Sequence, residues 1–394
     1  MLNSTYLRFH KVEFYTDFLY YYNMKKNKNT IIIPLTVLFC VLYIIFAFRP
    51  LGTELYFEPL QTIDIYGNEE NIQQEPPQAA ETQTDVSIVP FKLGQTLGYI
   101  DSNGKILYRY SFPWKSSITE NFFTVYDLNS TKFNIWDQKG QIITTIDAAG
   151  FPFLEQDRIF LFGPGGNNFA KYDVSGKKLW QFERFAPITC FNSSKGGITA
   201  GYSDGTLITW ASDGTILQNF IPGGSNHNVI LGAAVSGNGK YTACISGIQK
   251  QRFIITKNEG KNSKIIFHHY LNEEKTTQRY IKFSLDDSTV YYDTAAGLGI
   301  CVMDKVKRFH KYSIDPQGTV MQIVEDTESP FVFILAKNAE QENTEWTVTI
   351  LERVNHIAGR FSFSNTENAF IQFKDQNLFV GTDTTISILK VGRK

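Results

Sequence analysis

Apolar and polar positions alternate with a period of two along most of this chain, and short polar turns ending in glycine interrupt the alternation. The pattern is sharpest in four related stretches: TLGYIDSNGKILYRYSF from Thr96, KFNIWDQKGQIITTID from Lys132, NFAKYDVSGKKLWQFE from Asn168 and TLITWASDGTILQNF from Thr206. Each is a β-branched and aromatic run, a polar turn with glycine, and a second such run, which is the sequence form of a hairpin. The turn glycines Gly104, Gly140, Gly176 and Gly214 stand 36, 36 and 38 residues apart. One hairpin cannot bury its apolar face alone. A period near 40 made only of strands therefore predicts blades stacked around an axis, an all-β β-propeller.

Later repeats diverge but keep the strand-turn-strand form, as in AVSGNGKYTACIS from Ala234 and FSLDDSTVYYD from Phe283. Asp101, Asp137, Asp173, Ala211, Lys257, Asp304, Glu352 and Lys390 mark the same turn in successive repeats, which predicts eight blades over residues 86–394, the last lacking its outer strand. Glu54 to Tyr66, or the strand at Val86, is expected to supply that strand from the other terminus and remove an open edge. Seven blades of about 44 residues each is the alternative count.

Residues 31–48, IIIPLTVLFCVLYIIFAF, carry no charge and just span a bilayer core as a helix. Lys25, Lys26 and Lys28 precede the run, whereas only Arg49 and Glu54 follow it closely, so the positive-inside rule puts residues 1–30 in the cytoplasm and the rest outside. The run is long for a signal peptide and lacks a cleavage pattern around Phe46 to Gly52, which favours an uncleaved signal anchor. MKKNKNTIIIP from Met24 reads as a natural start, leaving residues 1–23 as an extension. Residues 49–85 read as a linker, mostly disordered, because GNEENIQQEPPQAAETQTD from Gly67 has almost no bulky apolar residue.

Composition narrows the function classes. Lys plus Arg total 38 against 39 acidic residues, so no basic excess draws the chain onto nucleic acid. Cys190, Cys244 and Cys301 sit in apolar strand contexts without close spacing, which fits buried thiols better than a disulfide or metal site. Asp101, Asp137 and Asp173 recur because Asp accepts backbone amides in such turns, and no metal is needed to explain them. FGPGGNN from Phe162 joins two strands and opens no helix, so it lacks the amide array of a phosphate cradle. His268 and His269 are adjacent and point to opposite faces of a strand. No nucleophile elbow appears, and Trp136, Tyr172, Trp180 and Trp210 read as packing between blades. No catalytic residue, cofactor or metal site is assigned.

At YDVSGKKLWQFE and GGITAGYSDGTLITWASDGTILQNF the chain resembles quinoprotein-like (PQQ-like) propeller repeats, and from Ala234 and Phe283 it looks more like WD40 or YVTN repeats. The resemblance covers most of residues 86–394 and implies the fold. Enzymes of that family use an adjacent cysteine pair, a calcium-binding carboxylate and amide set and a catalytic Asp, and this chain has no adjacent cysteines and no such ligand spacing. Non-catalytic members, similar to an outer-membrane assembly scaffold lipoprotein, match better.

The expected function is then a periplasmic scaffold, without enzymatic activity, that is anchored in the inner membrane by residues 31–48 and binds protein partners in or near the membrane. Loops between blades and between second and third strands share one propeller face. On them Trp114, Lys115, Phe151, Arg184, Phe185 and His227 are the candidate partner-binding residues, several pairing an aromatic with a charge. A sensor that binds a small molecule or glycan is the alternative, and a propeller enzyme comes third. Sequons at Asn129 and Asn192 leave a eukaryotic lumen open as a setting.

Overall fold

The computed structural model describes residues 34–43, 54–67, 87–259, 263–272, 274–304, 308–338 and 344–393. Residues 55–393 form one compact unit, an eight-bladed β-propeller of antiparallel sheets. Blades 1 to 7 follow in chain order over residues 88–111, 115–147, 151–183, 188–220, 230–270, 281–314 and 319–364. Blade 8 combines Ala369–Lys374, Asn377–Thr382 and Thr385–Arg393 with Leu55–Asp64, which pairs as its outermost strand.

That pairing closes the ring. Leu55 stands opposite Arg393 and Asp64 opposite Thr385, with one register break between Pro59 and Gln61. Of the two expected donors, the segment from Glu54 to Tyr66 is the one used. Leu55–Asp64 therefore belongs to the propeller, whereas residues 49–53 and 68–85 of the expected linker lie outside the described residues. LYFEPLQTID alternates enough apolar residues to seat Ile63 in the core while Leu60, at the register break, stays exposed.

Blade 1 has three strands among the described residues, Ile88–Leu93, Thr96–Asp101 and Ile106–Ser111. Its last hairpin matches the third-to-fourth hairpins of blades 2 to 4. Register breaks fall at Tyr99/Ile100, Ile135/Trp136, Lys171/Tyr172 and Thr209/Trp210, each just before the turn. Gly104, Gly140, Gly176 and Gly214 hold φ of 87°, 76°, 80° and 91° there, a region where a Cβ is penalised. This is why the repeat was visible as spaced glycines. The turn aspartates act as expected: Asp101 and Asp137 each accept two backbone amides through Oδ1. In blade 8 the corresponding position, Lys390, lies inside a strand, because the chain ends there and Leu55–Asp64 arrives from elsewhere.

Eight hydrophobic clusters hold the blades together, one at each junction. Trp210 packs edge-on to Phe169 and Phe182 between blades 3 and 4. Burying each such side chain stabilises by roughly 1.5–3 kcal/mol. At the closure, Ile63, Phe379 and Ile388 of blade 8 meet Val89, Phe91 and Ile100 of blade 1. The thiols of Cys190, Cys244 and Cys301 are free and buried.

Among the described residues no helix is long and apolar enough to cross a membrane. Residues 34–43 are helical and exposed, and the remainder of the apolar run at 31–48 lies outside the described residues, as do residues 1–30.

Candidate functional site

Hairpins set the two faces of the ring. First-to-second and third-to-fourth strand turns open on one side, here the turn face; blade-to-blade and second-to-third strand connections open on the other, the loop face. All six candidate residues fall on the loop face, at four consecutive junctions from blade 1 to blade 5. They differ sharply in what they offer a partner.

Trp114, between blades 1 and 2, is 60% exposed, while its neighbour Phe112 is buried under the Lys92 ammonium. Lys115 opens blade 2 and is exposed. Phe151 opens blade 3, half-buried opposite Phe162. Phe185, between blades 3 and 4, is 102% exposed and touches nothing apolar. His227 is exposed in the connection to blade 5. That connection is tied down from below: Arg252 donates to the Pro222 carbonyl at 2.8 Å and to that of Gly223.

Arg184 is part-exposed and already engaged within the ring. Its Nη2 donates to Asp204 Oδ2 at 2.7 Å and to Thr206 Oγ1 at 2.9 Å, and the guanidinium lies over the Tyr202 ring. Burial pushes the Asp204 carboxyl up, but hydrogen bonds from Arg184 and Thr206 more than offset this and hold it below the usual carboxylate value. Arg184 joins its loop to blade 4 and leaves Phe185 as the projecting side chain.

Sequence reasoning missed four further loop-face residues. Leu128 is 68% exposed in the second-to-third connection of blade 2, and Ile221 51% in the blade 4 to 5 connection. Tyr66 and Tyr270, at strand ends on the same face, are 46% and 52% exposed. Single apolar residues inside polar loops carry no periodic signal, so only the assembled ring groups them. On the turn face, exposed large apolar residues in connections or at strand ends are four among the described residues, Ile142, Val174, Ile216 and Leu285, none of them aromatic. The remaining exposed aliphatics in the ring are scattered over strands, most of them singly on outer strands around the rim, which is ordinary for a protein surface.

The inner strands carry a second polar feature. Side chains and backbone bond from blade to blade: Leu154 N to Ser117 Oγ, Val235 N to Asn192 Oδ1 and Gln322 to Ile371 in both directions. Within this belt Glu155 accepts from Ser193 N and Oγ at 2.9 and 2.6 Å, while Lys282 donates to the Ile323 carbonyl at 2.6 Å. Glu325 accepts from Tyr291 Oη at 3.0 Å. Burial raises both carboxyls and lowers the ammonium, and attraction between Lys282 and the two carboxylates only partly offsets it. These charges are therefore held at a cost. No grouping of three or more His, Cys, Asp or Glu suited to a metal occurs among the described residues.

A family model described as "beta-propeller protein" matches residues 22–393. The chain belongs to that family. A relative in Treponema pallidum (strain Nichols), named there only "Uncharacterized protein", is 27% identical over 93% of this chain and 95% of its own length. Among solved structures, BamB from Moraxella catarrhalis superposes with a TM-score of 0.54 at 12% identity, over 85% of this chain and 100% of that chain. The computationally designed Ika8 protein gives 0.57 at 13% identity, over 77% of this chain and 93% of that chain. At such identities these likenesses speak for the propeller fold. Within the family, the eight-bladed ring and its asymmetric faces are what this chain brings to function.

Proposed function

We propose that this propeller is a non-enzymatic protein-interaction scaffold, anchored in a bacterial inner membrane with the ring outside the cytoplasm, and that its loop face docks the partner. One observation carries the reading: among the described residues, exposed aromatic side chains in connections and at strand ends collect on that face, at Tyr66, Trp114, Phe185 and Tyr270 with Leu128 and Ile221 beside them, against four aliphatic residues and no aromatic at the same positions opposite. Monomeric surfaces seldom group such residues without a partner, and exposed Trp and Tyr are typical interface anchors.

The anchor rests on the uncharged run at 31–48 and the lysines before it. The resemblance of the repeats to non-catalytic, scaffold-type propellers supports a place in an envelope complex. Crosslinking in native membranes, followed by mass spectrometry, tests the reading. Partners crosslinked through a photoreactive residue at position 185 and absent with one at position 174 support it. Equal capture from both faces would overturn it.

The belt of buried charges favours a second reading, a sensor that takes a small molecule within the ring, since costly charges gather at binding sites. Melting the purified protein with metabolites and cell-wall fragments discriminates, because a true ligand raises apparent stability.

A further inference from the structure

Two grooves of about 450 and 460 Å³ flank the hairpin over residues 326–331 of blade 7, on the turn face and away from the loop-face apolar residues. One lies toward blade 8 and reaches Asp375 and Arg393; the other lies toward blade 6 and reaches Asp286, Tyr291 and Glu325. Six carboxylates line the pair against three cations. Phe331 separates the grooves and contributes to both.

The surface already holds one cation in a defined way. The Arg393 guanidinium lies 4.9 Å from the centre of the Phe331 ring, and its Nη2 donates to Glu352 Oε1 at 2.8 Å. An aromatic face with a carboxylate beside it is a guanidinium clamp. The blade 6 side offers a related surface in which carboxylates outnumber the one lining cation, Arg353: Leu285 gives an exposed apolar wall, Asp286 is exposed, and the Glu325 carboxylate, with Lys282 behind it, is fixed by Tyr291 Oη and by the Leu285 amide at 3.2 Å.

We propose that the groove between blades 6 and 7 binds a basic, apolar-flanked peptide segment of a protein partner, one Lys or Arg side chain reaching toward Glu325 and Asp286 and an adjacent apolar side chain resting on Leu285 and Pro330. The site is independent of loop-face docking and gives the ring a second contact surface, of opposite character, on its other side. Charge complementarity selects the occupant: a carboxylate-lined groove repels acidic segments and gains little from neutral ones.

The full-length protein is titrated against a fluorophore-labelled peptide of alternating Arg and Leu, its Glu-Leu counterpart and an Arg-Gly version, with spermine as competitor. The Arg-Leu peptide should bind, weaken with added salt, and lose roughly tenfold in affinity with Asp286→Asn plus Glu325→Gln. Arg393→Ala, which removes a resident positive charge next to the groove, should tighten binding, an outcome that a misfolded variant cannot mimic. Trp114→Ala and Phe185→Ala should leave it unchanged, so failure here and failure of loop-face docking are told apart. Equal binding of the Glu-Leu peptide, or indifference to the double substitution in a variant that melts normally, overturns the proposal. Equal binding of the Arg-Gly version with full displacement by spermine also overturns it, since the groove would then recognise bare cationic charge.

Discussion

The hydroxyl of Tyr292 in blade 6 donates to Nε2 of His269 in blade 5 at 2.8 Å. Nδ1 of the same ring faces the Tyr270 carbonyl at 3.0 Å and must donate to it, so the neutral ring carries its proton on Nδ1 and leaves Nε2 to accept from Tyr292. Burial, with smaller contributions from Lys311 and His268, holds this histidine below its ordinary value, against the opposing pull of the Tyr270 carbonyl. A histidine depressed in the fold contributes stability above its unfolded value, about 6.5, and loses it as pH falls further. Between about pH 7.5 and about pH 5.5 the wild type should therefore lose more melting temperature than His269→Gln, which keeps an acceptor for Tyr292 but cannot titrate. Parallel melting curves for the two proteins would refute this.

Lys282 makes the opposite kind of pH prediction. Lys282→Met removes the main positive charge acting on Glu325 and a smaller one acting on Glu155, which keeps Ser193 and Arg158, at a cost of about 1–3 kcal/mol at neutral pH, partial exposure favouring the lower end. Carboxyls raised in the fold bind protons more readily folded than unfolded, so the deficit should shrink as pH falls toward about 5. Urea titrations at the two pH values measure it, and a deficit that does not change with pH would count against the coupling.

Closure by Leu55–Asp64 predicts an asymmetric response to truncation. A chain starting at Glu54 should fold and melt as the full ring does, whereas one starting at Asp85 exposes the edge of Thr385–Arg393 together with Ile386 and Ile388, and should be destabilised or aggregate. Ile63→Ala is the milder version, costing about 2–5 kcal/mol by chemical denaturation. Identical melting of both truncated chains would show that the strand is dispensable.

For partner docking, Phe185→Ala and Trp114→Ala should each weaken capture by on the order of 2 kcal/mol if central to the interface, with little change in melting temperature. Arg184→Ala should behave differently. Loss of its bonds to Asp204 and Thr206 acts on the fold, so its melting temperature should fall. Capture assays paired with melts separate the two classes, and a normal melt for Arg184→Ala would mark it as a free anchor instead.

Burial raises the thiols of Cys190 and Cys301 to about 12 and pushes Cys244 still higher. A thiol reagent such as Ellman's should leave all three unmodified in the native ring and react with them in denaturant. Rapid native labelling, located by peptide mapping, would contradict their buried placement.

What the sequence made legible follows from which forces are local. Gly104, Gly140, Gly176 and Gly214 announced the hairpins because their backbone conformation is a property of four residues, and repetition of that conformation announced the ring. The partner of the last strand was less visible, since LYFEPLQTID sits beside a polar tract and looks like part of a tether until Arg393 is placed next to Leu55. At the candidate site the aromatic-plus-charge rule picked Trp114 and Phe185, which are exposed, but gave no sign of the Arg184–Asp204 pair, because Asp204 belongs to a turn whose YSDGT sequence already explains an aspartate. Glu155 and Lys282 were passed over for a similar reason. Their significance lies in being buried charges that influence one another from different blades, and residues in blades 3 and 6 share no local pattern.

Pairing of Leu55 with Arg393 also sets the order of events during synthesis. The N-terminal strand leaves the ribosome early and must stay unpaired, without joining a neighbouring chain, until the final residues arrive. Contacts between such distant positions are slow to form, and until this pairing is made the ring carries two open strand edges. Premature stop codons anywhere in the last blade would trap the product in that state. Such shortened chains should be cleared by proteases or aggregate rather than accumulate as weakened but intact rings.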